Sequence, residues 1–143
     1  MKIKPLLTDK IQTVHTGFVV NFQLESNITF IEGDSGTGKS AVFSFIEELS
    51  TSDKRIRCFN YLDYGKLYKN SIRQLRGKII VIDNADLLLD GNMRKHIAFD
   101  ELNQYIIIGR NPEGLLLTTD ELFHLVSYKS DEKVIFELSK EVL

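Results

Sequence analysis

Residues 30–41 read Phe30-Ile31-Glu32-Gly33-Asp34-Ser35-Gly36-Thr37-Gly38-Lys39-Ser40-Ala41, an apolar pair running into a glycine-spaced turn, a lysine and a hydroxyl. Glycine enters tightly curled backbone at little steric cost, so this spacing lets successive N–H groups face one point. An anion at that point would lie at the positive end of any helix that follows, and Lys39 would add a mobile charge beside it. The stretch predicts a phosphate-cradling turn between a strand and a helix, and its flanks agree. Ile28 to Ile31 is a short apolar run, as expected of a central strand delivering the chain to Glu32-Gly33. Ala41, Val42, Phe45, Ile46 and Leu49 recur at helical spacing until Ser50-Thr51-Ser52-Asp53 stops the helix.

Working outward, Phe18, Val20, Phe22 and Leu24 alternate with period two, which predicts a half-buried strand and a sheet edge or hairpin ahead of the turn. Downstream, Arg55 to Asn60 predicts a second strand. Tyr64, Leu67, Tyr68, Ser71, Ile72 and Leu75 form a stripe that predicts an amphipathic helix ending at Gly77. Ile79-Ile80-Val81-Ile82 is a β-branched run closed by Asp83, the pattern of a strand covered on both faces. Met93 to Leu102 predicts a helix and Tyr105 to Gly109 a further buried strand. Thr118-Thr119-Asp120-Glu121 has capping-box spacing, so a short helix is expected to run through Phe123 or Leu125. Val134 to Leu138 reads as a strand paired with Leu125 to Tyr128 across the polar turn Lys129 to Glu132. Strands alternate with helices and no Gly/Pro-rich linker intervenes, which predicts one α/β domain over residues 1–143 around a largely parallel sheet.

The totals bound the function. With 143 residues and 43% hydrophobic side chains there is material for one core. Eighteen Lys and Arg against twenty Asp and Glu leave a net charge of −2, so no global field marks a nucleic-acid or membrane binder. Cys58 is the sole cysteine, which excludes an internal disulfide and fits a reducing, cytoplasmic setting. No stretch approaches the length of a membrane span, so no membrane partner is expected.

Gly33 to Ser40 satisfies G-x-x-x-x-G-K-[ST] in full. In that pattern the loop amides hold phosphates, Lys39 reaches the β and γ groups, and the Ser40 hydroxyl ligates Mg²⁺. Asp83, closing a buried strand, supplies the carboxylate that would hold the metal through its waters. GDSGTGKS followed by IIVID resembles the Walker A and Walker B elements of P-loop NTPases. The strand between them at 55–60 resembles the division that includes the ABC, SMC and AAA+ ATPases, and the lead-in FQLESNITFIEGDSGTGKSA is similar to the start of ABC/SMC-type domains, whose antiparallel strands lead into the loop. The resemblance implies a three-layer P-loop NTPase-like sandwich with a mainly parallel central sheet and an antiparallel N-terminal edge or hairpin. It implies ATP and Mg²⁺ as cofactors, with Gly33, Asp34, Ser35, Gly36, Thr37, Gly38, Lys39, Ser40 and Ala41 on the phosphates and Ser40 and Asp83 on the metal. Tyr105 to Asn111 resembles the strand after Walker B, whose polar end reads the γ-phosphate; Arg110 could take that place or act as an arginine finger on a neighbouring copy, although a solvated arginine at a strand end is its commoner meaning. By analogy, a protein partner and self-association are expected.

Two departures bear on activity. Nothing here resembles the LSGGQ signature of ABC-type domains. Where many members carry a water-polarising glutamate after the Walker B aspartate, this chain has Asn84, which can orient a water but cannot take its proton. Asp86, Asp90 and Glu32 are the carboxylates that could substitute. The expected function is Mg-dependent ATP or other nucleoside triphosphate binding, as a weak ATPase or nucleotide switch serving a partner. The alternatives are a non-catalytic nucleotide-binding module and, ranked lower, a small P-loop kinase. No N/TKxD guanine motif is present. Lys66, Lys69, Arg73 and Arg76, with Lys54, Arg55, Arg57 and Lys78 nearby, form a basic face that could meet a nucleic-acid backbone, although a solvated helix face is its commoner meaning. His15, His96 and His124 lack metal-ligand spacing.

Overall fold

The β-branched run Ile79–Ile82 is buried at every position, because the strand it forms lies inside a sheet with apolar side chains on both faces. The computed structural model describes residues 4–32 and 38–140. Among these, eight strands form one sheet: β1 (Lys10–Val14), β2 (Phe18–Gln23), β3 (Ile28–Glu32), β4 (Ile56–Phe59), β5 (Ile79–Ile82), β6 (Gln104–Gly109), β7 (Leu122–Ser130) and β8 (Lys133–Lys140). Their spatial order is β1-β2-β8-β7-β3-β6-β5-β4. The helices are α1 (Lys39–Leu49), α2 (Tyr68–Gln74), α3 (Ala85–Leu88) and α4 (Gly91–Ala98).

Alternation along the central strands divides the interior. Ile80 and Ile82 of β5, Tyr105 and Ile107 of β6 and Phe30 of β3 join Ile72 of α2, Leu88 of α3 and Met93 and Ile97 of α4 in one cluster. Ile79, Val81, Ile106, Ile108 and Ile31 point the other way, onto Val42, Phe43 and Ile46 of α1. Each fully buried large aliphatic or aromatic side chain contributes about 1.5–3 kcal/mol by leaving water.

The second cluster also takes in Ile11 of β1, Val20 and Phe22 of β2 and Phe136 of β8. Those strands belong to the same sheet, and α1 touches both of its edges, β1 and β4. The sheet is therefore mixed and curled into a half-barrel around one helix, with 27% of the structure helical. This corrects the expectation of a helix-rich three-layer sandwich with a mainly parallel central sheet. The cause lies in the segment from Leu122 to Lys140. Leu122 begins β7 where a helix was expected, and the long antiparallel β7–β8 hairpin inserts between β2 and β3. β8 then joins β2 in parallel over Phe18–Val20 and Val134–Phe136, so strands cover the face that a further layer of helices would have covered.

Two helices are shorter than their sequence stripes. Asn60 caps a 3-10 turn at Tyr61–Asp63, Gly65 takes φ 91°, and α2 begins only at Tyr68, leaving Tyr64 and Leu67 exposed. α4 ends at Ala98, with Phe99 and Leu102 exposed beyond it. At the amino ends of the central strands, buried amides close the sheet. Gln104 accepts from the Leu7 and Thr8 N–H groups (2.9 and 3.0 Å), and Asn27 donates to the Asn103 carbonyl (2.7 Å). No helix of the described residues is long and apolar enough to cross a membrane.

Candidate functional site

β3, β5 and β6 run parallel, with Ile31 opposite Ile108 and Val81 opposite Ile106, so Glu32, Ile82 and Gly109 end along one rim. Crevices outside the carboxyl ends of parallel strands are where such sheets bind ligands. A cleft of about 210 Å³ lies there, lined by Lys39, Ser40, Asp83, Asn84, Asp86, Ile108, Gly109 and Arg110. Of the phosphate-loop residues expected from sequence, Gly33, Asp34, Ser35, Gly36 and Thr37 lie outside the described residues. Gly38 caps α1 at φ 94°, and Lys39 and Ser40 are its first two helical residues. Ala41 follows in the helix, exposed, and is not part of the cleft wall.

Asp83 is half-buried at the end of β5. Burial pushes its carboxyl above the usual aspartate range, opposed by the Asn84 N–H that donates to Oδ1 (2.8 Å) and by the nearby Lys39 ammonium. A cation in the cleft would relieve that desolvation. The donor set fits Mg²⁺, which takes few protein oxygens and keeps waters or phosphate oxygens for the rest; here the Ser40 hydroxyl and the Asp83 carboxylate share one cleft. No group of three or more His, Cys, Asp or Glu side chains gathers among the described residues, so other metals have no such cage there.

Asn84 occupies the left-handed region (φ 53°, ψ 44°), where asparagine is tolerated better than most residues. Its side-chain oxygen accepts from the Tyr61 N–H at 3.1 Å. The three carboxylates considered as substitutes for a missing base fall in different places. Asp86 lines the cleft, but its two oxygens accept from the Arg110 and Asn111 N–H groups (2.9 and 3.0 Å). Asp90 caps α4 through the Met93 N–H and pairs with Lys69 at 2.7 Å. Glu32 ends β3, in register with Gly109 and His124, and is not among the cleft-lining residues.

Arg110 is exposed at the cleft mouth and also borders a larger cavity of about 760 Å³, formed with Asp86, Leu89, Arg94, Asn111 and Glu113. Arg94 is buried between the two segments that shape this cavity. It donates to the carbonyls of Leu89, Asn111 and Glu113, and its guanidinium is 3.7 Å from Asp86. No sequence pattern marks Arg94, and Asp86 stands out in the sequence only as a carboxylate near Asp83. The contacts of Arg94 and Asp86 to residues 110–113 are made across the fold.

The basic face is partly spent on local bonds. Lys69 is held by Asp90, Arg55 by Asp53 at 2.9 Å, and Arg76 donates to the Arg73 and Leu75 carbonyls. Tyr68 is a core residue whose hydroxyl donates to the Leu88 carbonyl, whereas Tyr61 and Tyr64 are exposed. Cys58 sits on edge strand β4 with its thiol pushed up to about 12 by burial, which leaves it protonated and unreactive at neutral pH. Comparison with protein-family models, with curated proteins and with solved structures finds no match for this chain.

Proposed function

We propose that the chain binds a nucleoside triphosphate together with Mg²⁺, ATP being the leading candidate, and serves as a nucleotide switch or weak ATPase for a partner protein. One observation carries the reading. Lys39 and Ser40, Asp83 and Asn84, and Arg110, drawn from three separate stretches of sequence, line a single cleft at the carboxyl ends of β3, β5 and β6. In this reading Lys39 and the amides at the start of α1 hold the phosphates, Ser40 and Asp83 hold the metal, and Arg110 faces the terminal phosphate. The resemblance to P-loop NTPases supports the same assignment through the pattern GDSGTGKS and the run IIVID. A cytoplasmic setting belongs to the proposal and is supported by the single cysteine in the sequence, Cys58.

A second reading, a non-catalytic nucleotide-binding module, is favoured by a separate observation. The Asn84 carbonyl is held by Tyr61, and the Asp86 oxygens by two backbone N–H groups, so the cleft offers an attacking water no uncommitted base from these residues. Calorimetry with ATP, with and without Mg²⁺, tests the binding, and phosphate release on the same sample separates switch from ATPase. Lys39→Ala is expected to weaken ATP binding at least about tenfold, the scale of one charge-assisted phosphate contact. Unchanged affinity in that variant would remove the phosphate-binding assignment.

A further inference from the structure

The Asp86 carboxylate bridges two segments that sequence alone does not connect. It follows Asp83 and Asn84 by a few residues on α3, and its oxygens take the N–H groups of Arg110 and Asn111 at 2.9 and 3.0 Å, immediately after β6. Gly109 makes the approach feasible. A Cβ at that position would stand 3.1 Å from the Ala85 Cβ and 3.5 Å from Asp86 Oδ1, so a larger residue would push α3 off the strand end. Arg94, buried behind, holds Asp86 from the other side and ties residues 111–113 to α4. The backbone of Arg110 is thus fixed, while among the described residues its guanidinium has no ion pair. The fixed backbone keeps the root of the Arg110 side chain at the cleft mouth, within reach of an anionic group entering the cleft.

We propose that Asp86 is a positioning residue that sets Arg110 at the cleft mouth and thereby determines discrimination between a nucleoside triphosphate and the diphosphate. The proposal rests on the reading that this cleft holds the phosphates. Asp86 itself touches no phosphate; it acts through the Arg110 backbone, and Arg110 makes the contact that a diphosphate lacks.

The test is calorimetric binding of Mg-ATP and Mg-ADP to the full chain, to Asp86→Ala, to Arg110→Ala and to the double variant. Wild type is expected to prefer ATP. Each single variant should lower the ATP:ADP affinity ratio by about tenfold to a hundredfold, with ADP binding unchanged, and the double variant should lose no more than Arg110→Ala alone. Should the alanine variant fail to fold, Asp86→Asn, which keeps the shape and one accepting oxygen, supplies the same comparison. An Asp86 variant that loses thermal stability but keeps the ratio overturns the positioning role and leaves a structural one. An unchanged ratio in Arg110→Ala overturns it as well. Wild type that binds neither nucleotide defeats the underlying reading too, so the two failures are distinguishable.

Discussion

At the scale of the residue, the burial of Asp83 has a consequence opposite in sign to that of an ordinary paired carboxylate. Its folded-state value is raised, chiefly by desolvation, so the unfolded chain releases this proton first as pH increases. Below the ordinary aspartate value of about 4 the group is protonated in both states and costs the fold nothing. As pH rises from there through the raised value, stability is lost, and above it the penalty is constant. Asp83→Asn, which can keep an oxygen for the Asn84 N–H, should therefore melt higher than wild type at pH 7 without ligand, and the difference should vanish at pH 3. If Asp83 holds Mg²⁺ as proposed, the same variant should also lose the Mg-dependent part of any stabilisation by ATP. Thermal melts at the two pH values check the first statement; a variant less stable than wild type at pH 7 contradicts it. The residue types of this site were legible in the sequence, since Lys39, Ser40 and Asp83 sit in recognisable patterns. The state of Asn84 was not, because its positive φ and its bond to Tyr61 depend on where the 3-10 turn at Tyr61–Asp63 lies.

Among elements, long periodic runs were the most legible and their ends the least. β5 and β6 stand where the β-branched runs predict, and β7 pairs with β8 as the sequence predicts, Leu125 with Leu138 and Tyr128 with Ile135, although the ladder continues through Ser130 and Lys133 and leaves a tighter turn than Lys129 to Glu132. α2 fell short because Gly65 and the Asn60 cap interrupt a stripe that hydrophobic spacing alone continues through. The expected helix at Thr118 failed differently. The capping box is present, with Glu121 accepting from Thr118, but it caps a single 3-10 turn, after which Leu122 and Phe123 pair with Phe30 and Ile31 of β3. Strand pairing there outweighs the local helix signal. The β7–β8 turn illustrates what local chemistry leaves unused. Ser130 pairs with Lys133, so Asp131 and Glu132 form a two-residue loop, with φ 49° and 67°. Such loops favour glycine at the second position, and a glutamate there bears left-handed strain. Glu132→Gly should raise stability by up to about 1 kcal/mol, read as a higher urea midpoint at constant slope. A fall would mean that the turn conformation is set by contacts other than its own backbone.

For the whole molecule, the decisive contact is between parts of the chain nearly one hundred residues apart. The curl of the sheet brings Phe136 of β8 over the start of α1, 6.2 Å from the Phe18 ring of β2, which in turn lies 5.2 Å from Phe45 of α1. At that junction a Cβ on Gly38 would stand 2.7 Å from Phe136 Cε1, and Gly38 also holds φ 94°. The glycine that the phosphate-binding pattern requires is thus required a second time, by the half-barrel. Sequence periodicity could not reveal this, because the strand order that places β8 beside β2 is a long-range choice with no local signature. Gly38→Ala should cost about 1–3 kcal/mol through overpacking, before any left-handed strain is added. Phe136→Leu alone should also destabilise, since it removes buried volume from the second cluster. Together the two should cost less than the sum, because the smaller side chain makes room for the added methyl, and the coupling in a double-mutant cycle should be about 0.5–3 kcal/mol. Tyrosine fluorescence and far-UV circular dichroism in urea give each stability. Strictly additive losses would place Phe136 away from Gly38 and unmake the closure of the sheet over α1. Coupling accompanied by altered ATP affinity in the Phe136 variant would show that the last strand of the half-barrel helps to shape the start of the helix on which phosphate binding is proposed to depend.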